Sequence, residues 1–150
     1  MTTNISIDAL HEFTGKQLGY SEWQTITQER VNLFADATDD HQWIHVDPER
    51  AKEGPFGVAI AHGYLTLSLA PVLLNQVVRV DNTTFGVNYG CGKVRFPSPV
   101  PVGADLRMGV TVAKVEDVSG GVQVTYDLVF EVKEAAKPSC VAQVIYRYFR

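Results

Sequence analysis

The stretch from Tyr64 to Val78 constrains this chain more than any other. Leu65, Leu67, Leu69, Ala70, Val72, Leu73, Leu74, Val77 and Val78 leave it apolar almost all round. A helix without a polar face belongs inside a protein. The stretch is interrupted by polar residues before it reaches the about 18 uninterrupted apolar residues that a membrane span requires, and no other window reaches that length. A buried central helix is therefore predicted, and the rest of the chain has to cover it. Pro71 removes one backbone hydrogen bond at a local cost of about 3 kcal/mol, so a single bent helix over Tyr64 to Val78 is expected.

The cover comes from the second half of the chain. Beyond Val80 the apolar period changes from helical to alternating. Thr84 to Tyr89, Lys93 to Phe96, Asp105 to Val118, Val122 to Lys133 and Ser139 to Phe149 are rich in Val, Tyr, Phe and Thr and read as strands. Ser119-Gly120-Gly121 signals a hairpin between the two longest, and Ala135 to Pro138 a second turn. Pro97, Pro99 and Pro101 exclude a central strand and predict an exposed connection. The expected architecture is α+β, a meandering antiparallel sheet around one buried helix. At 150 residues, with no internal repeat or linker, the chain reads as one domain spanning residues 1–150.

Before the central helix the punctuation is helical. Ser6 is placed to cap a short helix over Ile7 to Phe13 that Gly15 ends, with His11 on its surface. Tyr20 to Ile26 is extended in character. Thr27 is an N-cap for a helix from Gln28 to Ala37, with Val31, Phe34, Ala35 and Thr38 on its inward face. Asp47-Pro48 has the form of a cap and first helical residue, predicting a helix over Pro48 to Lys52. Gly54, Pro55 and Gly57 then make a loop leading to Ala61-His62-Gly63.

A net charge of -4 gives no basic footprint for nucleic acid, and a charged fraction of 20% with 45% hydrophobic residues excludes a disordered chain. The segment MTTNISIDALHEF lacks a positive cluster and an apolar signal core, so the cytoplasm is the expected compartment. Cys91 and Cys140 lie in no metal-ligand spacing and read as reduced thiols. Cys91 as a nucleophile has no partner nearby in sequence and reads instead as a small hydrophobe.

Chemistry concentrates between Thr38 and Gly63, where His41, His45 and His62 accompany Asp39, Asp40 and Asp47. Asp40 and His45 can turn toward one point, and a carboxylate and an imidazole sharing a water form an acid/base pair. On spacing alone, Asp40 capping a turn while His45 packs in the core is the commoner arrangement. His41 and His45 stand four apart, but Gln42 occupies the place of the glutamate in a zinc-protease helix, so no metal site is expected. Gly63 opens the apolar helix, where unpaired N–H groups favour an oxygen gaining negative charge and the missing Cβ allows close approach. A glycine required only by the turn fits the same spacing. His62 can orient this junction through hydrogen bonds.

Three blocks, DDHQWIHVDPERA, AIAHGYLTLSL and NYGCGKVRFPSPVPVGADL, together resemble the MaoC-like group of hot-dog-fold proteins, close to the (R)-specific enoyl-CoA hydratases and the nodulation-protein-N-like branch. They occur in the family's order, and the resemblance covers nearly the whole chain. It implies a hot-dog fold, in which an antiparallel sheet wraps a long central helix, and a homodimer whose sheets continue into each other. In the hydratases the motif reads Asp, any residue, Asn, Pro, an aliphatic residue, His. Asp40, Ile44 and His45 match it, while Gln42 and Trp43 stand in place of Asn and Pro. Gln42 keeps a carboxamide able to bond nearby, and Trp43 is the larger departure, bearing on the loop path and acyl-chain preference.

The resemblance further implies syn addition of water to a trans-2-enoyl-CoA to give the (R)-3-hydroxyacyl-CoA. Asp40 and His45 would be catalytic, and Gly63, Gln42 and His62 would form the oxyanion and substrate-binding side. No metal or redox cofactor is implied, coenzyme A being part of the substrate, and Lys93 and Arg95 could meet its phosphates. An acyl-CoA thioesterase and a non-catalytic acyl-thioester binding subunit are the other functions the fold can carry.

Overall fold

The computed structural model describes residues 1–150. Strand β1 (Thr3–Ser6) leads into a 3-10 helix (Ile7–Phe13), followed by strands β2 (Gln17–Tyr20) and β3 (Gln24–Thr25). Five helices come next: α1 (Gln28–Thr38), α2 (Trp43–Val46), α3 (Pro48–Lys52), α4 (Gly63–Ser68) and α5 (Ala70–Val77). Strands β4 (Val78–Asp81), β5 (Phe85–Arg95), β6 (Asp105–Val118), β7 (Gly121–Val132) and β8 (Cys140–Phe149) complete the chain. The main sheet is antiparallel in the order β2-β6-β7-β8-β5, with β3 also on β6.

The alternation that marked the strands becomes the core. Leu106, Met108, Val110 and Val112 of β6, Val122, Val124, Tyr126, Leu128 and Phe130 of β7, and Cys140, Ala142 and Val144 of β8 all point to one buried side. They pack on Leu65, Leu69, Ala70, Leu73, Leu74 and Val77 of α4 and α5. The β6–β7 hairpin turns as expected: Val118 pairs with Gly121, leaving Ser119 and Gly120 as a two-residue loop with Gly120 at φ +80°. No helix is long and apolar enough to cross a membrane.

Several expectations are corrected. The bent helix is two short helices meeting at Leu69, because Pro71 has no N–H to give the Leu67 carbonyl; the chain continues through Leu69 N–H to Leu65 and Leu73 N–H to Leu69. Nor is it buried all round, since Tyr64 and Val72 stand in solvent. The two strands expected over residues 84–96 are one strand, β5, which carries Gly90-Cys91-Gly92 through register irregularities instead of breaking there. Strand β1 had no signal: it is short, polar and paired in parallel with β4, far along the chain. On α1, Thr38 is exposed and bonds the Phe34 carbonyl, while Val31 and Ala35 carry the burial. The proline connection is not simply exposed, because Val100 is buried and its carbonyl receives the Ala61 N–H at 2.9 Å. Both cysteines are free, Cys140 buried and Cys91 exposed.

Candidate active site

Three local signals deliver the chain to the site. Thr27 caps α1 through its hydroxyl on the Arg30 N–H, and Asp39 ends that helix at φ 61°, a left-handed turn that aspartate tolerates. Asp47 caps α3 on the Arg50 N–H with Pro48 at the first position, as read from the sequence. Between the two lies α2, one turn long, whose first carbonyls come from Gln42: its oxygen receives the N–H groups of His45 and Val46. From α1, the Gln28 carboxamide donates to the His45 carbonyl at 2.7 Å.

His45 is buried, and its Nδ1 lies 2.6 Å from the Ile60 carbonyl oxygen. A carbonyl only accepts, so Nδ1 carries the proton and Nε2 is left with a free lone pair. His62 is held in the opposite sense. Its Nε2 is 2.9 Å from the backbone carbonyl of Asp40 and so donates, leaving Nδ1 bare, buried and without a partner. The two rings stack at 3.9 Å and 23°, with Phe34 behind His62 at 4.9 Å. His62 thus fixes both members of the expected pair, one through its backbone and one through its ring.

Asp40 is half-exposed at the rim, with one carboxylate oxygen 4.0 Å from His62 Nε2 and the other 3.4 Å from the Gln42 N–H. Atoms of Asp40, His45 and His62 lie within 4.8 Å of one another, a span that one water with hydrogen bonds of about 2.8 Å can bridge. The same set contains two imidazoles and a carboxylate, a zinc-type donor set, and with His45 Nδ1 and His62 Nε2 committed to carbonyls the ring nitrogens left free are His45 Nε2 and His62 Nδ1. The His41 and His45 pair is not assembled at all: His41 turns outward to Asp36 at 2.8 Å. Burial is the first cause that lowers the pKa of His45 below the ordinary 6.5; the Ile60 carbonyl and Asp40 oppose it, and His62 adds to it.

Of these groups His45 faces a cleft of about 320 Å³, lined with it by Ile60, Ala61, Gly63 and Thr66 and by Phe96, Pro97, Pro99 and Val100. Phe56, on the Gly54 to Gly57 loop, Ser98 and buried Ser139 complete it. Gly63 is the first residue of α4, and a Cβ there would sit 3.1 Å from the Phe96 ring. Replacing Gly63 by Ala should therefore press Phe96 into the cleft, and a several-fold rise in KM with a nearly unchanged melting temperature is the expected result of steady-state kinetics and thermal melts.

Other expected residues sit away from the cleft or contribute differently. Gln42 is exposed at the head of α2, where its side chain makes no cap bond; the nearby bonding expected of its carboxamide is replaced by bonding through its backbone carbonyl. Trp43 does not line the cleft. It lies under the Arg50 guanidinium at 4.4 Å and against Gly54, where a Cβ would meet the indole at 2.8 Å, so it anchors the loop that carries Phe56. Lys93 and Arg95 are exposed on β5. His11 bonds Asp117 on the surface. The cleft residue missed in the sequence is Thr66, which helix periodicity places on the Gly63 face.

The MaoC like domain model matches residues 10–133. Over 149 residues, 99% of each chain, the protein is 54% identical to 3-hydroxyacyl-thioester dehydratase Z of Mycobacterium tuberculosis. It is 42% identical over 144 residues to nodulation protein N of Rhizobium meliloti, covering 94% of this chain and 89% of that one. The fold superimposes on the (R)-hydratase from A. caviae involved in PHA biosynthesis with a TM-score of 0.73 at 21% identity, covering 89% of this chain and 94% of the other. The chain therefore belongs to the MaoC-like family, has its hot-dog fold, and is a hydro-lyase of the hydratase and dehydratase kind.

Proposed function

We propose that the protein is an (R)-specific enoyl-CoA hydratase, interconverting trans-2-enoyl-CoA and (R)-3-hydroxyacyl-CoA in fatty acid metabolism. The observation that carries this reading is the anchored tautomer of His45: a buried ring whose Nδ1–H is tied to Ile60 has Nε2 as its free base, in a ring with a nitrogen within 4.8 Å of an Asp40 carboxylate oxygen.

A water held between Asp40 and His45 Nε2 gives a proton to Nε2 as its oxygen bonds to C3 of the enoyl group. The C2–C3 π electrons move toward C2 and the thioester oxygen. The imidazolium, stabilised by Asp40, then returns the proton to C2 on the same face, which completes syn addition and regenerates the base. The Gly63 N–H at the start of α4 receives the charge on the thioester oxygen, a contribution of about 3 kcal/mol in comparable sites. Dehydration is the reverse path. Asp40 and His45 supply the proton chemistry, so the scheme calls on no metal or redox cofactor, and coenzyme A belongs to the substrate. His62 and the Gln42 backbone hold the pair in place, and this reading assigns the exposed Lys93 and Arg95 to the coenzyme's phosphates.

The working unit in this reading is a homodimer of single domains spanning residues 1–150, acting in the cytoplasm. Strand β5 is a sheet edge eleven residues long with Phe85, Val87 and Tyr89 exposed, and Tyr64 and Val72 are exposed on the helix pair. An unprotected apolar edge of that length calls for a partner, and a second copy supplies a matching one.

Because the base form of His45 is required for hydration, the pH profile has a definite sign. Its lowered pKa keeps Nε2 free below pH 6.5, so the acid limb of kcat/KM for hydration should fall below that value when measured between about pH 5 and 8. A limb above 6.5 would remove His45 as the base.

The direct test follows the loss of enoyl-thioester absorbance with crotonyl-CoA and a longer trans-2-enoyl-CoA, with chiral analysis of the product. Formation of the (R) alcohol is the expected outcome. No absorbance change from folded protein, together with free thiol released from a saturated acyl-CoA, would replace the reading with thioester hydrolysis; no change in either assay would leave a binding role.

A further inference from the structure

We propose that Thr66 contacts the substrate directly, its hydroxyl donating a second hydrogen bond to the thioester oxygen beside the Gly63 N–H. This rests on the hydratase reading above for the identity of the ligand, and on four observations for the contact itself. Thr66 lies three residues after Gly63 on α4, so the two share a helix face. It is 2% exposed and lines the cleft.

Its hydroxyl is uncommitted. A threonine inside a helix usually turns its hydroxyl back to the carbonyl four residues before it, and Ser68 does so, bonding Tyr64 at 2.6 Å. For Thr66 that carbonyl belongs to His62 and receives the Thr66 N–H instead, with no bond from the side chain. Finally, the hydroxyl is not sealed away. The side-chain polar atoms that lack both a partner and access are His62 Nδ1 and Tyr146 Oη, so the unpartnered Thr66 oxygen opens onto the cleft. The other buried hydroxyl of the wall, Ser139, is already spent on the Phe130 carbonyl at 3.3 Å.

The cleft that Thr66 lines also carries the apolar side chains of Ile60, Ala61 and Val100. A buried hydroxyl without a partner is unfavourable, and a substrate oxygen relieves it. A thioester oxygen has only lone pairs to offer, which makes Thr66 the donor. As charge gathers on that oxygen the bond strengthens in surroundings of low dielectric, so the contact favours the enolate over the bound enoyl group and acts on kcat more than on KM.

Thr66→Val keeps the shape and removes the hydroxyl, while Thr66→Ser keeps the hydroxyl. With crotonyl-CoA, Thr66→Val should lower kcat about 100-fold with KM little changed, and Thr66→Ser should restore most of the rate. A second readout is independent of turnover. In Asp40→Asn protein, the infrared carbonyl stretch of bound crotonyl-CoA should move to lower frequency, and adding Thr66→Val should reverse part of that shift. Equal frequencies with and without the Thr66 hydroxyl, or an unchanged kcat for Thr66→Val, would overturn the contact. Wild-type protein that binds the thioester with the shift present but never hydrates it would sink the hydratase reading and leave the contact standing.

Discussion

Asp40→Asn and His45→Gln should each lower enoyl-CoA hydration by about 10²- to 10⁴-fold, the range for loss of a positioned acid/base group. The two variants fail for different physical reasons. Asparagine keeps the size of Asp40, which is half-exposed, and the backbone carbonyl that holds His62 is untouched. What is lost is the negative charge that holds the water and stabilises the imidazolium. Glutamine at position 45 can still donate to the Ile60 carbonyl, but it has no basic nitrogen to leave free. Since the pair acts as one unit, the double variant should be little worse than either single one. Initial rates, with circular dichroism and thermal melts as controls for folding, check this; a variant within tenfold of wild type would remove that residue from the reaction.

The largest expected effect on stability comes from a residue far from the cleft. Gly120 and Gly121 are neighbours in the hairpin, yet they are required for different reasons. Gly120 has a left-handed backbone, and a Cβ there would make only an ordinary contact with the Phe149 ring at 3.8 Å, so Gly120→Asn should cost about 1 kcal/mol or less. Gly121 faces the backbone of β8: a Cβ there would run into the Tyr148 carbonyl oxygen and lie 3.1 Å from the Phe149 Cα. No rotamer change relieves a clash with main chain, and β7 and β8 are paired at this point, Gly121 opposite Phe149. Gly121→Ala should therefore cost about 3 kcal/mol, or roughly 10 °C in Tm for a chain of this size. Equal melting temperatures for the two variants would show that the end of the hairpin yields freely.

The contrast between those glycines also explains what a sequence conveys. Ser119-Gly120-Gly121 announces a turn, but the reason for Gly121 is a strand almost thirty residues away and cannot be read locally. The same division runs through the site. The nearness of Asp40 to His45 and the place of Gly63 at the head of α4 were legible because acid/base and turn chemistry have short-range signatures. The tautomer of His45 was not, because its partner is the main-chain carbonyl of Ile60, to which any residue could contribute equally. Thr66 escaped notice because an apolar helix draws attention to its hydrophobic residues, and a hydroxyl within it looks like a small filler. Strand β5 was divided in two because Gly90-Cys91-Gly92 resembles a break, whereas pairing with β8 carries the strand across it. The helix pair was expected to be wholly enclosed; composition shows that Tyr64 and Val72 are apolar but not whether one chain suffices to cover them.

Residues Ala59 to Ala61 lie at the meeting point of the site's two walls. The Ile60 N–H bonds the Ile44 carbonyl and the Ile60 carbonyl holds His45, while Ala61 donates to Val100 and Ala59 receives the Val102 N–H. One short segment is thus stitched on one edge to the loop that aims the base and on the other to the connection that shapes the cleft. Widening or narrowing the wall at Pro99 or Val100 pulls on the same main chain that sets the angle of the imidazole. On the proposed reading selectivity and turnover are mechanically geared, so a lineage adapting to a new acyl chain would have to retune both together.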